Sequence, residues 1–170
     1  MALRPIFVGL LAAALCFAGC AHYQLGTDAK PGFTTLYVEP ASNKTLLPQA
    51  QAIVSTQLRE AFLHDGRVTL VNSAEEADAT LRVVIHDFHR DVTAAREDDT
   101  GLARKFALTL TTECTLRDNH TGKELFTARK VSVTRDAYTD SGQLQSEYQT
   151  LPLLAEAIAQ KISHTVLDVW

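Results

Sequence analysis

Cysteine is scarce in this chain: Cys16, Cys20 and Cys114 are the whole set. Three thiols make no disulfide framework, and no Cys or His cluster has the spacing of a zinc site. An excess of cations is missing too. The 16 Lys and Arg face 20 Asp and Glu, for a formal net charge of −4, which argues against nucleic acid as the main partner. No apolar run approaches the roughly 20 residues of a membrane-spanning helix; the longest, Ile6 to Phe17, is far shorter. Internal repeats and low-complexity stretches are absent. So are the usual marks of catalysis. Thr121-Gly122-Lys123 lacks the earlier glycine of a phosphate loop and reads as a hairpin turn. Ser141-Gly142 lacks the flanks of a nucleophile elbow, and Glu97-Asp98-Asp99 suits a solvated turn better than a cation site. His86 and His89 are three apart, a spacing that sends side chains on a regular strand to opposite faces. His22, His64, His120 and His164 read as surface residues. Cys114, within an alternating apolar strand, reads as a small buried hydrophobe. No nucleophile–base pair stands out, so the chain is read as non-enzymatic, with no metal and no cofactor.

The amino terminus is the most informative stretch present. Arg4 supplies a positive start, Ile6–Phe17 an uncharged apolar run, and Ala18-Gly19 two small residues directly before Cys20. This is a secretory signal over residues 1–19. The small-small-Cys order resembles the lipobox of bacterial lipoproteins, with Phe17 where Leu is usual. The resemblance implies that Cys20 becomes the first mature residue and carries palmitate-type acyl chains on its sulfur and its amino group. Cleavage near Ala18-Gly19 with an unmodified thiol is the plainer alternative. More than one acyl chain makes anchoring lasting. Ala21 and His22 follow the cysteine, and the sorting rule for such lipoproteins then points to the outer membrane, facing the periplasm.

Residues 20–33 read as a lipidated tether and 34–170 as one domain, a length that buries a sizeable core without staples. Thr34–Glu39 alternates as a first strand. Pro48 opens a helix whose stripe is Ala50, Ile53, Val54, Leu58, Ala61 and Phe62, with Gly66 as its cap. A short strand at Arg67–Val71 and a polar turn at 72–78 follow. Leu81, Val83 and Ile85 alternate, extended by Asp87. Phe106, Leu108, Leu110, Thr112, Cys114 and Leu116 form the cleanest buried face. Asp118–Gly122 is a hairpin turn, and a parity shift in the return strand predicts a bulge near Arg129–Lys130. Residues 136–148 read as irregular. A last helix runs from about Leu151 to Val169, with one or two turns before Pro152 kinked by it. The pattern predicts an α+β fold, two helices packed on one face of a mixed four- to five-stranded sheet.

One surface has a distinct charge. Arg104, Lys105, Arg117, Lys123, Arg129 and Lys130 all belong to the hairpin or its ends. Such cations fit lipid phosphates; lysines on a strand edge also serve simply to block pairing with other chains.

Cys20-Ala21-His22-Tyr23-Gln24-Leu25-Gly26 resembles the mature start of the lipopolysaccharide (LPS)-assembly lipoproteins, the LptE-like family. Further similarities are Leu36–Glu39 followed by Asn43-Lys44-Thr45, the run Ala77-Asp78-Ala79-Thr80-Leu81, and the closing Leu-rich helix. The resemblance implies an outer-membrane lipoprotein that partners the LPS-assembly β-barrel and assists lipopolysaccharide transport and insertion into the outer leaflet. Its site residues are then Cys20 for lipidation and Lys105, Arg129 and Lys130 as contacts for LPS phosphates. The alternative is a structural lipoprotein of a self-assembling or export complex, because Leu36–Glu39, Asn43-Lys44-Thr45 and the helix after them also resemble the TolB amino-terminal and curli-secretion type of domain.

Overall fold

The computed structural model describes residues 31–95, 103–138 and 143–168. In chain order they form β1 (Thr35–Val38), β2 (Ser42–Asn43), α1 (Ala50–Asp65), β3 (Thr69–Leu70), a 3-10 turn (Ala74–Glu76), β4 (Ala79–Ala95), β5 (Ala103–Asp118), β6 (Glu124–Tyr138) and α2 (Gln143–Leu167). The sheet order is β3-β1-β4-β5-β6, with β2 also pairing to β4. β1 runs parallel to β3 and β4, while β4, β5 and β6 form an antiparallel meander. This is the expected α+β architecture with one strand more than expected. The extra one, β2, is two residues long and exists only through its register with Val84 and Ile85; nothing local in Ser42-Asn43 marks it.

The helices form where their apolar stripes can be buried. Ala50, Val54, Leu58 and Phe62 of α1 are wholly buried, as a stripe at three- and four-residue spacing requires. Gly66 then adopts φ +73° and its N–H caps the Phe62 carbonyl at 3.2 Å. α2 buries Leu154, Ala155, Ile158, Ala159, Ile162 and Val166 against the same core. It begins well before Leu151, so residues 143–148 are helical and not irregular. Pro152 sits inside it and has no N–H for the Tyr148 carbonyl four residues back. Two residues earlier, the Thr150 hydroxyl donates to the Ser146 carbonyl at 2.7 Å.

The helix-facing side of the sheet follows the expected alternation along β5, with Phe106, Leu108, Leu110, Thr112, Cys114 and Leu116 all buried. Two irregularities change the neighbouring strands. In β4, Ile85 pairs with Thr112 and Asp87 with Thr111, which leaves His86 as an inserted residue. Parity flips there, so Phe88 faces the core and Asp87 does not, correcting the expected extension of the Leu81–Ile85 face. In β6, Leu125 is skipped, and Thr127 and Ala128 together oppose Thr115. The predicted bulge therefore exists but lies nearer the turn, and Ala128 takes φ +47°.

Two polar clusters tie the ends of elements together. Arg67 bridges Asp65 at 2.7 Å and Asp168 at 2.6 Å, joining the ends of α1 and α2. Asp78 accepts from the Thr34 and Thr35 N–H groups at 2.8 and 2.9 Å and from the Thr34 hydroxyl at 2.8 Å. Its other oxygen meets His120 Nε2 at 2.9 Å. Asn119 in the same β5–β6 turn donates to the Ala74 and Ala77 carbonyls. The start of β1 is thus clamped to that turn.

Candidate partner-facing surface

The two faces of the sheet differ in chemistry. One is covered by α1 and α2. Along the other, Thr109 and Thr134 share a hydrogen bond at 2.9 Å, and Thr111 and Ser132 one at 3.1 Å. Charged side chains on this open face are mostly paired: Arg82 with Glu39 at 2.9 Å, His86 with Glu113 at 2.9 Å, His89 with Asp91 at 3.0 Å and Lys105 with Asp136 at 2.8 Å. Such a surface carries many donors and acceptors. It suits contact with water or with another hydrogen-bonding wall, and it is too polar to lie in hydrocarbon.

Of the residues picked out by sequence, Cys20 lies outside the described residues. Lys105 and Lys130 both reach the open face. Lys105 is held by Asp136, which keeps its ammonium charged to higher pH than usual, and it lies 5.7 Å from the centre of the Tyr138 ring. Lys130 is exposed and stands opposite Glu113 in register. The register sets Lys105 opposite Tyr138, eight positions from Glu113 along β5, so the two lysines are about 27 Å apart. Arg129 points to the helix side, stacked 4.3 Å from the Phe126 ring centre and donating to the Thr165 carbonyl at 3.5 Å. The structure therefore does not gather these three cations into one patch.

The other candidates resolve simply. His86 and His89 share the open face, because the inserted residue undoes the opposite-face spacing of a regular strand. No group of three or more His, Cys, Asp or Glu among the described residues is arranged to hold a metal ion. Cys114 is fully buried, and burial pushes its thiol up to about 12, far from a nucleophile's range. Gly122, at φ +71°, closes the β5–β6 turn, in which Asp118 accepts from the Thr121 N–H at 2.8 Å. Glu97–Gly101 and Ser141-Gly142 lie outside the described residues. Among the described residues no helix is long and apolar enough to cross a membrane.

One feature was missed by sequence. Leu46, Leu47, Pro48, Phe88, Tyr148 and Leu151, together with Gln49 and Glu147, line a hollow of about 200 Å³ beside the amino-terminal parts of α1 and α2, midway along β4. Leu46 is fully exposed there. The signal was hidden by the parity flip at His86 and by the polar composition around Tyr148.

A polar open sheet face and a two-helix cover over the other face define the domain's surface. The chain matches the lipopolysaccharide-assembly (LptE) family over residues 33–166 and belongs to that family. It is accordingly an LPS-assembly-type lipoprotein, of a family without enzymatic activity. No curated protein matches it in sequence. Among solved structures it is similar to a protein from Xanthomonas campestris, with TM-score 0.61, 14% identity, and 82% of this chain and 86% of that one covered. It is similar to a minor lipoprotein from Acinetobacter baumannii, with TM-score 0.54, 17% identity, and coverage of 78% and 91%. Lipoprotein B from Nitrosomonas europaea gives TM-score 0.53, 19% identity, and coverage of 85% and 86%. At these identities the likeness is one of fold.

Proposed function

We propose that this chain is a Cys20-anchored subunit at the periplasmic side of the outer membrane. It partners the LPS-assembly β-barrel and assists delivery of lipopolysaccharide to the outer leaflet. The family match over residues 33–166 carries this reading. The open sheet face supports it physically: the inner wall of an outer-membrane barrel is polar, and the Thr/Ser ladder and paired charges offer such a wall hydrogen bonds without a buried unpaired charge. The mechanism is binding and seating, with no covalent chemistry.

Photo-crosslinkers at Thr109 and Thr134, in cells, should capture the barrel, and mild-detergent extraction should recover a one-to-one complex. Recovery of the chain alone refutes the reading. A large homo-oligomer favours the self-assembling lipoprotein instead. Contact with LPS phosphates is assigned to Lys105, Arg129 and Lys130 in unequal measure. Lys130→Gln should weaken LPS binding most, because its ammonium is exposed, and Arg129→Gln least, because that guanidinium is engaged by Phe126 and a helix carbonyl. Unchanged binding in the triple variant removes the phosphate role.

A further inference from the structure

A cleft of about 530 Å³ runs between α1 and α2 on the side of the helices away from the sheet, with Gln57, Glu60 and His64 on one wall and Glu156, Gln160 and Ser163 on the other. No Lys or Arg lines it. The nearby Arg67 is engaged by Asp65 and Asp168. One amide N–H on each wall is turned to a carboxylate: Gln57 Nε2 bonds Glu60 at 2.7 Å and Gln160 Nε2 bonds Glu156 at 3.4 Å. His164, at the cleft's end, has Nδ1 on Asp168 at 3.0 Å. The lining is anionic, with the carboxylates of Glu60, Asp65 and Glu156 and two amide oxygens as acceptors beside the rings of His64 and His164.

Ser163 supplies an independent sign of a ligand. It is only 3% exposed, yet its hydroxyl makes no hydrogen bond with the described residues. Three hydroxyls on these two helices bond back to the carbonyl four residues earlier, Ser55 to Gln51 at 2.6 Å, Thr150 to Ser146 at 2.7 Å and Thr165 to Lys161 at 2.7 Å, and Ser163 does not. No side-chain polar atom fully closed off from solvent lacks a partner, so the Ser163 hydroxyl is reached from the cleft. The floor thus offers an unused hydroxyl between two carboxylate-bearing walls.

We propose that this cleft takes the guanidinium of an arginine side chain presented by a partner protein. Guanidinium carries five N–H donors in a planar fork and no acceptor, the complement of an acceptor-rich, anionic slot. Bound there, it would donate to Glu60 and Glu156 from opposite walls, with one N–H directed at the Ser163 hydroxyl oxygen. Ammonium, a compact and strongly hydrated point charge, matches this geometry less well. The inference does not depend on which protein presents the arginine, nor on the barrel reading above.

The test is an NMR titration of the full-length chain in detergent micelles with N-acetyl-arginine N-methylamide. The expected result is saturable shifts at the Gln57, Gln160 and Ser163 amides. The uncharged citrulline analogue should give none, and the lysine analogue should bind at least threefold more weakly. Glu60→Gln with Glu156→Gln should weaken arginine binding at least fivefold, and Ser163→Ala, a mild change within a helix, at least twofold. Non-saturating shifts, equal shifts from citrulline or lysine, or binding unchanged in the double variant overturn the proposal. The barrel crosslinks from Thr109 and Thr134 are read separately, so either idea can fail alone.

Discussion

Replacing Ala128 with glycine should make this protein more stable, although it deletes a methyl group from a β-strand. Ala128 holds φ +47° in the β6 bulge, its N–H donating to the Thr115 hydroxyl at 3.1 Å. A residue with a Cβ in this left-handed region costs about 1–2 kcal/mol. Glycine occupies it freely but orders at an entropic cost of about 0.5–1 kcal/mol. Ala128 is exposed, so little packing is lost. The balance is a gain of about 0.5–1 kcal/mol. In urea melts, with a slope of about 1–3 kcal/mol per molar, the midpoint should rise by roughly 0.2–1 M. The melting temperature should rise by roughly 1–4 °C. Ala107→Gly is the matched control. It sits in regular register in the interior strand β5, opposite Asp91 and Asp136, where glycine should instead cost about 0.5–1 kcal/mol. Opposite signs at two alanines of one sheet test the bulge directly. If Ala128→Gly lowers the midpoint as Ala107→Gly does, the left-handed bulge is wrong.

The remaining expectations concern the clamp and the core. His120, then the Thr35 and Thr34 N–H groups and the Thr34 hydroxyl, hold the Asp78 carboxyl far below the usual carboxylate range, while Asp78 raises His120. The carboxylate's contribution is therefore present above about pH 3.9 and lost as pH falls below it; the histidine's is complete below about pH 6.5 and lost as pH rises through its raised value. Asp78→Asn should flatten both limbs of a stability-against-pH curve and lower the His120 titration measured by NMR; an unmoved His120 titration refutes the pairing. Ile158, fully buried where α2 meets the core, should cost about 2–5 kcal/mol as Ile158→Ala, read as a fall in melting temperature, whereas the part-exposed Leu153→Ala should stay within about 0.5 kcal/mol.

What could be read from the chain was what repeats with a regular period. β5 shows this best: its six inward residues alternate without interruption and all are buried. The α1 stripe and the Gly66 cap were legible for the same reason. The illegible parts are those where the period breaks or where pairing is made only in three dimensions. An inserted residue at His86 has no composition of its own, yet it turns Phe88 inward and puts His86 and His89 on one face. β2 is a strand only because Val84 and Ile85 lie beside it. The start of α2 is polar and contains a proline, so local preference pointed to a loop, while burial of Ser146, Thr150 and Leu151 decided otherwise. The hairpin cations were legible as residue types but not as a site. Their grouping depends on strand parity, which sets Arg129 on the opposite side from Lys105 and Lys130.

The Asp78 clamp has a geometrical consequence. Because β1 runs parallel to the first residues of β4, the chain enters the domain beside the β5–β6 turn, and the clamp fixes that entry point. The 16 residues of β5 cover about 54 Å and arrive at that point through Asp118. The molecule is built like a pole stepped at its foot: the paired Ala95 and Ala103 ride at one end, the hollow around Phe88 lies midway, and whatever holds the residues before 31 pulls at the other end. A mooring there would let the tip sweep a wide arc without loading the core, and would keep the foot of the sheet at one fixed height.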